Sequence, residues 1–351
     1  MLHTLARAAT MSESSAERLA EVLDGHDNVL VFCHMNPDPD CIASGLAMQL
    51  LLRCRFGKST QICYRGIIGR AQNREMVRLL APDLKRFRDI DPLSYTAAVL
   101  VDAQPEFGFD AGASLEHDLP FVVCIDHHPF APSTADIPFH DVRPGVGATS
   151  TIMTSYLKLF SCEPTRAVAT ALYYGIKTDT LALTRRTTDF DREAYESLLP
   201  LVDHDIVAAI ESPPLSPTYF RDLKRAMDRA RIQGKLVITD IGRLSYPDMV
   251  AEIADFFLKA DGVSWSVCMG YYESMMYVSV RTHAEDGDAG QTIRRAVAEL
   301  GQAGGHNTMA AARITIREND QAQYTALEKT VRERLIVGLE VKNAPVRPLA
   351  E

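Results

Sequence analysis

Between Asn28 and about Asp205 short apolar runs alternate with helical stretches, and no other feature of the chain restricts its fold so strongly. Val29–Cys33, Ala97–Val101 and Phe121–Ile125 carry no polar residue, and Thr60–Tyr64 is a fourth, less apolar run. The helical stretches are Ile42–Phe56, Ala71–Leu80, Ser150–Phe160 and Arg166–Lys177. A strand apolar at every position has no face to give to water, so it must be covered on both sides. Such strands alternating with helices predict the α/β class, with an N-terminal mostly parallel sheet flanked by helices.

Ser212-Pro213-Pro214-Leu215-Ser216-Pro217 interrupts this pattern, because clustered prolines stop helices and strands alike. A charged helix from Thr218 to about Ile232 reads as a connector. Beyond it, Leu236–Ile241, Met249–Leu258, Ser264–Met269, Met275–Arg281, Ala289–Leu300 and Ala312–Ile316 spell a smaller C-terminal α/β domain. The expected division is 1–27 leader and helix, 28–205 first domain, 206–232 linker and connecting helix, and 233–351 second domain. Met1 to about Ser15 lacks the apolar core of a secretory signal, and Met11 is an alternative start to Met1.

Charge and cysteine usage narrow the function classes. With 37 basic and 46 acidic residues the formal charge is −9. Long nucleic acid is usually held through phosphates by a basic field, so no long duplex is expected as a partner. No apolar stretch approaches the ~18 residues of a membrane helix, so no membrane partner is expected. The seven cysteines form no Cys-x-x-Cys pair, which reads as free buried thiols in a reducing, cytoplasmic setting. Cys33 and Cys124, inside apolar runs, are expected to be structural.

Four acidic or histidine-bearing clusters fall at the ends of these elements. His34-Met35-Asn36-Pro37-Asp38-Pro39-Asp40 follows the first run, with both prolines expected to hold an extended loop. Asp102 ends Ala97–Val101, Asp126-His127-His128 ends Phe121–Ile125, and Asp179 ends a helical run. Singly, each is explained by a helix cap, a turn or a solvated group. Together they converge where an open α/β sheet holds its ligand, at the strand C-termini. Carboxylates and histidines without cysteine suit hard divalent ions, manganese or magnesium, better than structural zinc. The number of candidate ligands suits two ions about 3.5–4 Å apart sharing a carboxylate, an arrangement that serves phosphoryl displacement.

The spacing His34-x-x-x-Asp38-x-Asp40, then Asp102, Asp126-His127-His128 and Asp179, resembles the DHH phosphoesterases. These include RecJ-like exonucleases, nano-RNase oligoribonucleases, phosphoadenosine-phosphate phosphatases and cyclic-dinucleotide phosphodiesterases. Ala303-Gly304-Gly305-His306 is similar to the glycine-histidine signature of the DHH-associated C-terminal domain. The resemblance implies that 28–205 is catalytic and 233–351 binds substrate across a cleft. It makes His34, Asp38 and Asp102 ligands of one Mn2+ (Mg2+ as substitute), and Asp40, Asp102, His127 and Asp179 ligands of a second. Asp126 would orient His127, and His128 would donate to the scissile phosphate. Arg281, Gly304, Gly305 and His306 would bind substrate, with a helix or tight turn expected at Thr308–Ala311. The implied activity is hydrolysis of short oligonucleotides, linear or cyclic dinucleotides or phosphoadenosine phosphate to nucleoside monophosphates, in a chain compatible with a homodimer. The alternatives are an inorganic pyrophosphatase-like hydrolase and a non-catalytic nucleotide-binding module. Two departures stand out: Ala303 for a glycine, and Leu181-Ala182-Leu183-Thr184-Arg185-Arg186 where family members carry a glycine and an aromatic residue. Arg185 and Arg186 are either phosphate contacts or solvated.

Overall fold

The computed structural model describes residues 13–105, 119–305, 307–317 and 320–350. The readings that concern Met1, Met11 and His306 lie outside them. By contacts the chain divides into two units, one up to Pro213 and one from Pro214. Among the described residues no helix is long and apolar enough to cross a membrane.

The first unit opens with helix α1 (Glu13–Leu23), strand β1 (Asn28–Phe32), helix α2 (Pro39–Phe56), strand β2 (Ser59–Tyr64), helix α3 (Ala71–Leu80) and strands β3 (Lys85–Arg86), β4 (Ala97–Val101), β5 (Phe121–Asp126) and β6 (Phe139–Val142). Helices α4 (Thr149–Leu159), α5 (Arg166–Asp179), α6 (Asp189–Leu198) and α7 (His204–Glu211) complete it. The six strands form one sheet in the order β3-β2-β1-β4-β5-β6, and every pairing is parallel, as the apolar runs require. Alternation sends Val29, Val31 and Val101 into a large core shared with α2, α4 and α5. Leu30, Phe32, Leu100 and Cys124 face a smaller core completed by Phe87, Ile90 and Ile137. Helix α2 lies deep in the large core: Asp38 caps it, Pro39 takes its first position, and Gly57 ends it at φ +64°.

The second unit contains helix α8 (Pro217–Arg229), strands β7 (Arg231–Gln233) and β8 (Leu236–Arg243), helix α9 (Met249–Phe257) and strands β9 (Trp265–Tyr272) and β10 (Met275–Thr282). Helix α10 (Ala289–Ala296), strands β11 (Gln302–Gly305) and β12 (Met309–Thr315), helix α11 (Gln321–Gly338) and strand β13 (Val346–Pro348) follow. Its seven strands run β11-β12-β10-β9-β8-β7-β13, antiparallel except for the β8–β9 pair. The helix read from sequence as a connector packs within this unit. Ala226 of α8 and Ala230, which caps its end, are buried in one core with Val237 and Ile241, and the Thr239 hydroxyl donates to the Ala226 carbonyl at 2.9 Å.

One local reading is corrected. Instead of a helix or turn, Thr308–Ala311 leads into β12, and β11 pairs with it so that Gly305 lies opposite Ala310. Gly305 adopts φ +138°, and a Cβ there would stand 2.4 Å from Ala310 Cα, so the hairpin requires glycine.

Candidate metal centre

Asp38 and Asp40 leave the first strand in different roles. The Asp38 Oδ1 atom accepts the Cys41 N–H at 3.0 Å as the helix cap. Asp40 already lies in the first turn of α2, fully buried, so the expected extended loop is a helix start. Proline's fixed φ fits a first helical turn as well as an extended segment. Both Asp40 oxygens accept backbone N–H groups at the N-terminus of α4, from Ser150 to Oδ1 and Thr149 to Oδ2, each at 2.7 Å. Helix α5 approaches this point closely: a Cβ on Gly175 would lie 2.4 Å from Ser150 Oγ and 3.1 Å from Asp40 Cα.

Asp102 is 3% exposed and sits at φ +55°, a left-handed conformation that costs a non-glycine residue energy and is concentrated at functional sites. The Thr149 hydroxyl donates to its Oδ1 at 2.8 Å. Asp126, at the end of β5, accepts from Gln104 Nε2 at 2.5 Å, while Gln104 Oε1 accepts from Ala131 N and the Thr134 hydroxyl.

These side chains meet. His34 Nε2 lies 3.7 Å from Asp38 Oδ1 and 3.8 Å from Asp102 Oδ2. His127 Nε2 lies 3.9 Å from Asp40 Oδ2, 3.6 Å from Asp102 Oδ1 and 3.3 Å from Asp179 Oδ2. Asp102 thus turns one oxygen toward each imidazole, and His127 Nε2 is buried with no hydrogen-bond partner. Crowded carboxylates raise one another's proton affinity. Burial, then Asp179, pushes Asp40 up to about 7, and burial with Asp40 and Asp38 pushes Asp102 well above the carboxylate range. Burial disfavours a charged His127, yet the nearby carboxylates of Asp179 and Asp40 lift it to about 10. The donor set asks for positive charge, and a buried imidazole nitrogen among carboxylate oxygens is how a hard or borderline divalent cation is held.

The expected pairing of Asp126 with His127 is corrected. Asp126 Oδ1 accepts from His128 Nδ1 at 2.8 Å and from the backbone N–H of His127, whereas His127 Nδ1 faces the Val146 carbonyl at 3.2 Å. Burial opposes it, but the His128 hydrogen bond holds Asp126 below the usual carboxylate range. Cys41, left out of the ligand set on sequence, stands with His34 and Asp102, their ligand atoms all within 4.8 Å of one another. Its thiol donates to the Val101 carbonyl at 3.5 Å and its sulfur accepts the His34 N–H at 3.2 Å. Burial pushes the thiol well above its ordinary value, so it stays protonated. Cys33 and Cys124 are buried, their thiols turned to the carbonyls of Cys41 and Ala103.

After Asp179, Leu181, Ala182 and Leu183 take φ of 48°, 53° and 66°, a left-handed backbone that costs a non-glycine residue energy. Arg185 Nη2 donates to the Asp179 carbonyl at 3.0 Å. In the second unit Arg281 is 9% exposed; its Nε donates to Asp255 Oδ1 at 2.5 Å and its Nη1 to Ser279 Oγ at 2.8 Å. Arg281 faces Met309 and Gly305 faces Ala310, so arginine and glycines share one end of the second sheet.

The family model described as DHH family, N-terminal domain, matches residues 28–176. An uncharacterized protein of Methanocaldococcus jannaschii is 33% identical over 321 residues, covering 90% of this chain and 64% of that protein. The chain therefore spans less than two thirds of that relative's length. The bifunctional oligoribonuclease and PAP phosphatase NrnA of Thermus thermophilus is 26% identical over 328 residues, covering 90% of this chain and 93% of that protein. An exopolyphosphatase-related protein from Bacteroides fragilis shares the fold, with a TM-score of 0.72 at 14% identity over 93% of this chain and 98% of its own.

Proposed function

We propose, from the match of residues 28–176 to the DHH family's N-terminal domain, that the chain is a DHH-family phosphoesterase, a manganese-dependent hydrolase of short oligonucleotides, linear or cyclic dinucleotides or phosphoadenosine phosphate. His34, Asp38 and Asp102 would hold one ion and Asp40, Asp102, His127 and Asp179 the other, with Mg2+ as a substitute for Mn2+. The observation that carries this reading is His127 Nε2, buried without a partner and 3.3 to 3.9 Å from oxygens of three carboxylates.

Bound, two such ions lower the pKa of a water and clamp the oxygens of an in-line displacement. The protein's own share is positioning. Thr149 and Ser150 hold Asp40, and the Thr149 hydroxyl holds Asp102. Asp126 fixes the proton of His128 on Nδ1, which leaves Nε2 to meet the phosphate, donating when the ring is charged. Arg281, Gly304 and Gly305 would grip a phosphate or base away from the scissile bond, and remote binding energy positions the reacting group. The acidic balance of the chain supports a small nucleotide substrate over a long strand. A cytoplasmic homodimer is part of the same proposal.

The test is a hydrolysis panel with Mn2+ over a nano-RNA, a linear and a cyclic dinucleotide, phosphoadenosine phosphate and pyrophosphate, alongside metal analysis. Nucleoside monophosphate release with nearly two ions per chain is expected. Turnover of pyrophosphate alone would establish the pyrophosphatase alternative, and no turnover of any substrate would leave a binding module.

A further inference from the structure

At the end of the second sheet opposite Arg281, arginines converge on a cavity that the proposed hydrolysis does not use. Tyr272 and Met275 flank the β9–β10 turn, whereas Arg281 pairs with Ser266 at the other end of the same hairpin. From Met275 to Arg281 the strand advances about 20 Å. Beside the turn lies a cavity of about 510 Å³, lined by Thr218, Arg221 and Arg225 of α8, Arg243 and Ser245 at the end of β8, and Tyr272.

The arrangement is prebuilt. Arg221 and Arg225 stand one turn apart on α8, on one helix face. Arg225 Nη2 donates to Asp222 Oδ1 and to the Arg243 carbonyl at 2.7 Å, which fixes the guanidinium, while its Nε is buried with no partner. Asp222 also lines the cavity but is 1% exposed and already engaged, since Ser245 donates to its Oδ2 from the backbone at 3.2 Å and from the hydroxyl at 2.6 Å. Arg243 follows an irregularity in the β8–β9 register, where Gly242 takes φ +74°, the kind of bulge that re-aims a side chain. Arg221 has a 3.4 Å contact to Thr218 Oγ1, and neither Arg221 nor Arg243 has an ion-pair partner among the described residues. Glu273 is the remaining acid at the rim. Three guanidiniums against two carboxylates, one of them spent on Arg225, leave a positive surplus in a chain of net charge −9.

We propose that this cavity is a second anion site that takes a phosphate group, either as inorganic phosphate or as the terminal phosphate of a mononucleotide whose base lies on the half-buried ring of Tyr272. Guanidinium groups recognise phosphate oxygens through paired, charge-assisted hydrogen bonds. Arg221 and Arg243 would supply the free donors, with Arg225 Nε behind them. The site stands independently of the metal centre, so it survives even if the hydrolytic reading fails.

The experiment titrates the full-length metal-loaded protein with inorganic phosphate, AMP and adenosine by calorimetry. It is repeated on the Arg221→Ala/Arg243→Ala double variant and on Arg281→Ala. Both phosphate-bearing probes are expected to bind and adenosine not to. The double variant should lose at least about tenfold in affinity at one site, the scale of a removed charge-assisted contact, with an unchanged melting temperature. Arg281→Ala should keep that site, and hydrolysis of a small diester by the double variant should stay normal. Tighter binding of AMP than of phosphate would assign the nucleotide; equal binding would assign the phosphate alone. Absent phosphate binding, equal binding of adenosine and AMP, or affinity unchanged in the double variant would overturn the proposal.

Discussion

Gly175→Ala separates the packing that builds the proposed metal centre from its proposed ligands. The new Cβ would meet Ser150 Oγ at 2.4 Å, Asp40 Cα at 3.1 Å and Ala43 Cβ at 3.3 Å. Ordinary contact begins near 3.4 Å, so the α4 side must yield by about 1 Å or α5 must move off α2. Overpacking of this severity costs about 2–3 kcal/mol. Alanine regains roughly 1 kcal/mol because it favours a helix interior over glycine. The net loss is therefore about 1–2 kcal/mol, or roughly 2–8 °C in melting temperature for a unit of this size. The same movement separates Asp179, one turn further along α5, from Asp40 on α2, and sites of this kind tolerate only about 0.5 Å of displacement. Thermal melts in EDTA and in Mn2+, with calorimetric Mn2+ titration, read both effects. A lowered melting temperature with about tenfold weaker binding is expected. A variant as stable as the parent, with unchanged Mn2+ affinity, would refute the idea that glycine sets the spacing of the two helices.

Other outcomes follow from individual contacts. Asp102→Ala should remove both ions together, because one oxygen faces each imidazole; near-normal turnover would make the shared role wrong. Asp126→Asn should cut turnover by about two orders of magnitude while leaving Mn2+ affinity within a few-fold, since it holds His128 and not the His127 ring; a loss of metal equal to that of His127→Ala would contradict the geometry. Cys33→Ser and Cys124→Ser should lower the melting temperature and leave metal binding intact, and the reverse pattern would bring a thiol into the site. Arg281→Ala should lose about one to two orders of magnitude in kcat/KM on a dinucleotide but little on bis-p-nitrophenyl phosphate; equal losses would give the arginine a structural role.

Much of the first unit could be read from its runs because β1, β4 and β5 are central, and a strand buried on both faces has no choice but apolar residues. The edge strands β3 and β13, Lys85–Arg86 and Val346–Pro348, have two and three residues and leave no such mark. The acidic and histidine side chains and their convergence were visible in the chain; their supports were not. Thr149 and Ser150 are more than a hundred positions from Asp40, and only tertiary packing brings that helix N-terminus to the carboxylate. Asp126 sits beside His127 in sequence, but β5 ends there and the backbone turn delivers its oxygen to the next ring. Only the start of β12 was hidden: Ala312–Ile316 could be read as a strand, but buried Ala310 beside exposed Ala311 continues its period of two in alanines, which make the alternation hard to see.

The left-handed backbone at Asp102 sets the requirements of chemistry against those of folding. A glycine at this position would relax a conformation worth about 1–3 kcal/mol and remove a buried carboxylate from the company of Asp40 and Asp38. The resulting chain would be sturdier and inert. Random drift screened only for abundance or heat resistance would therefore accumulate Asp102→Gly, and thermal selection of this protein would have to be coupled to turnover to keep its aspartate.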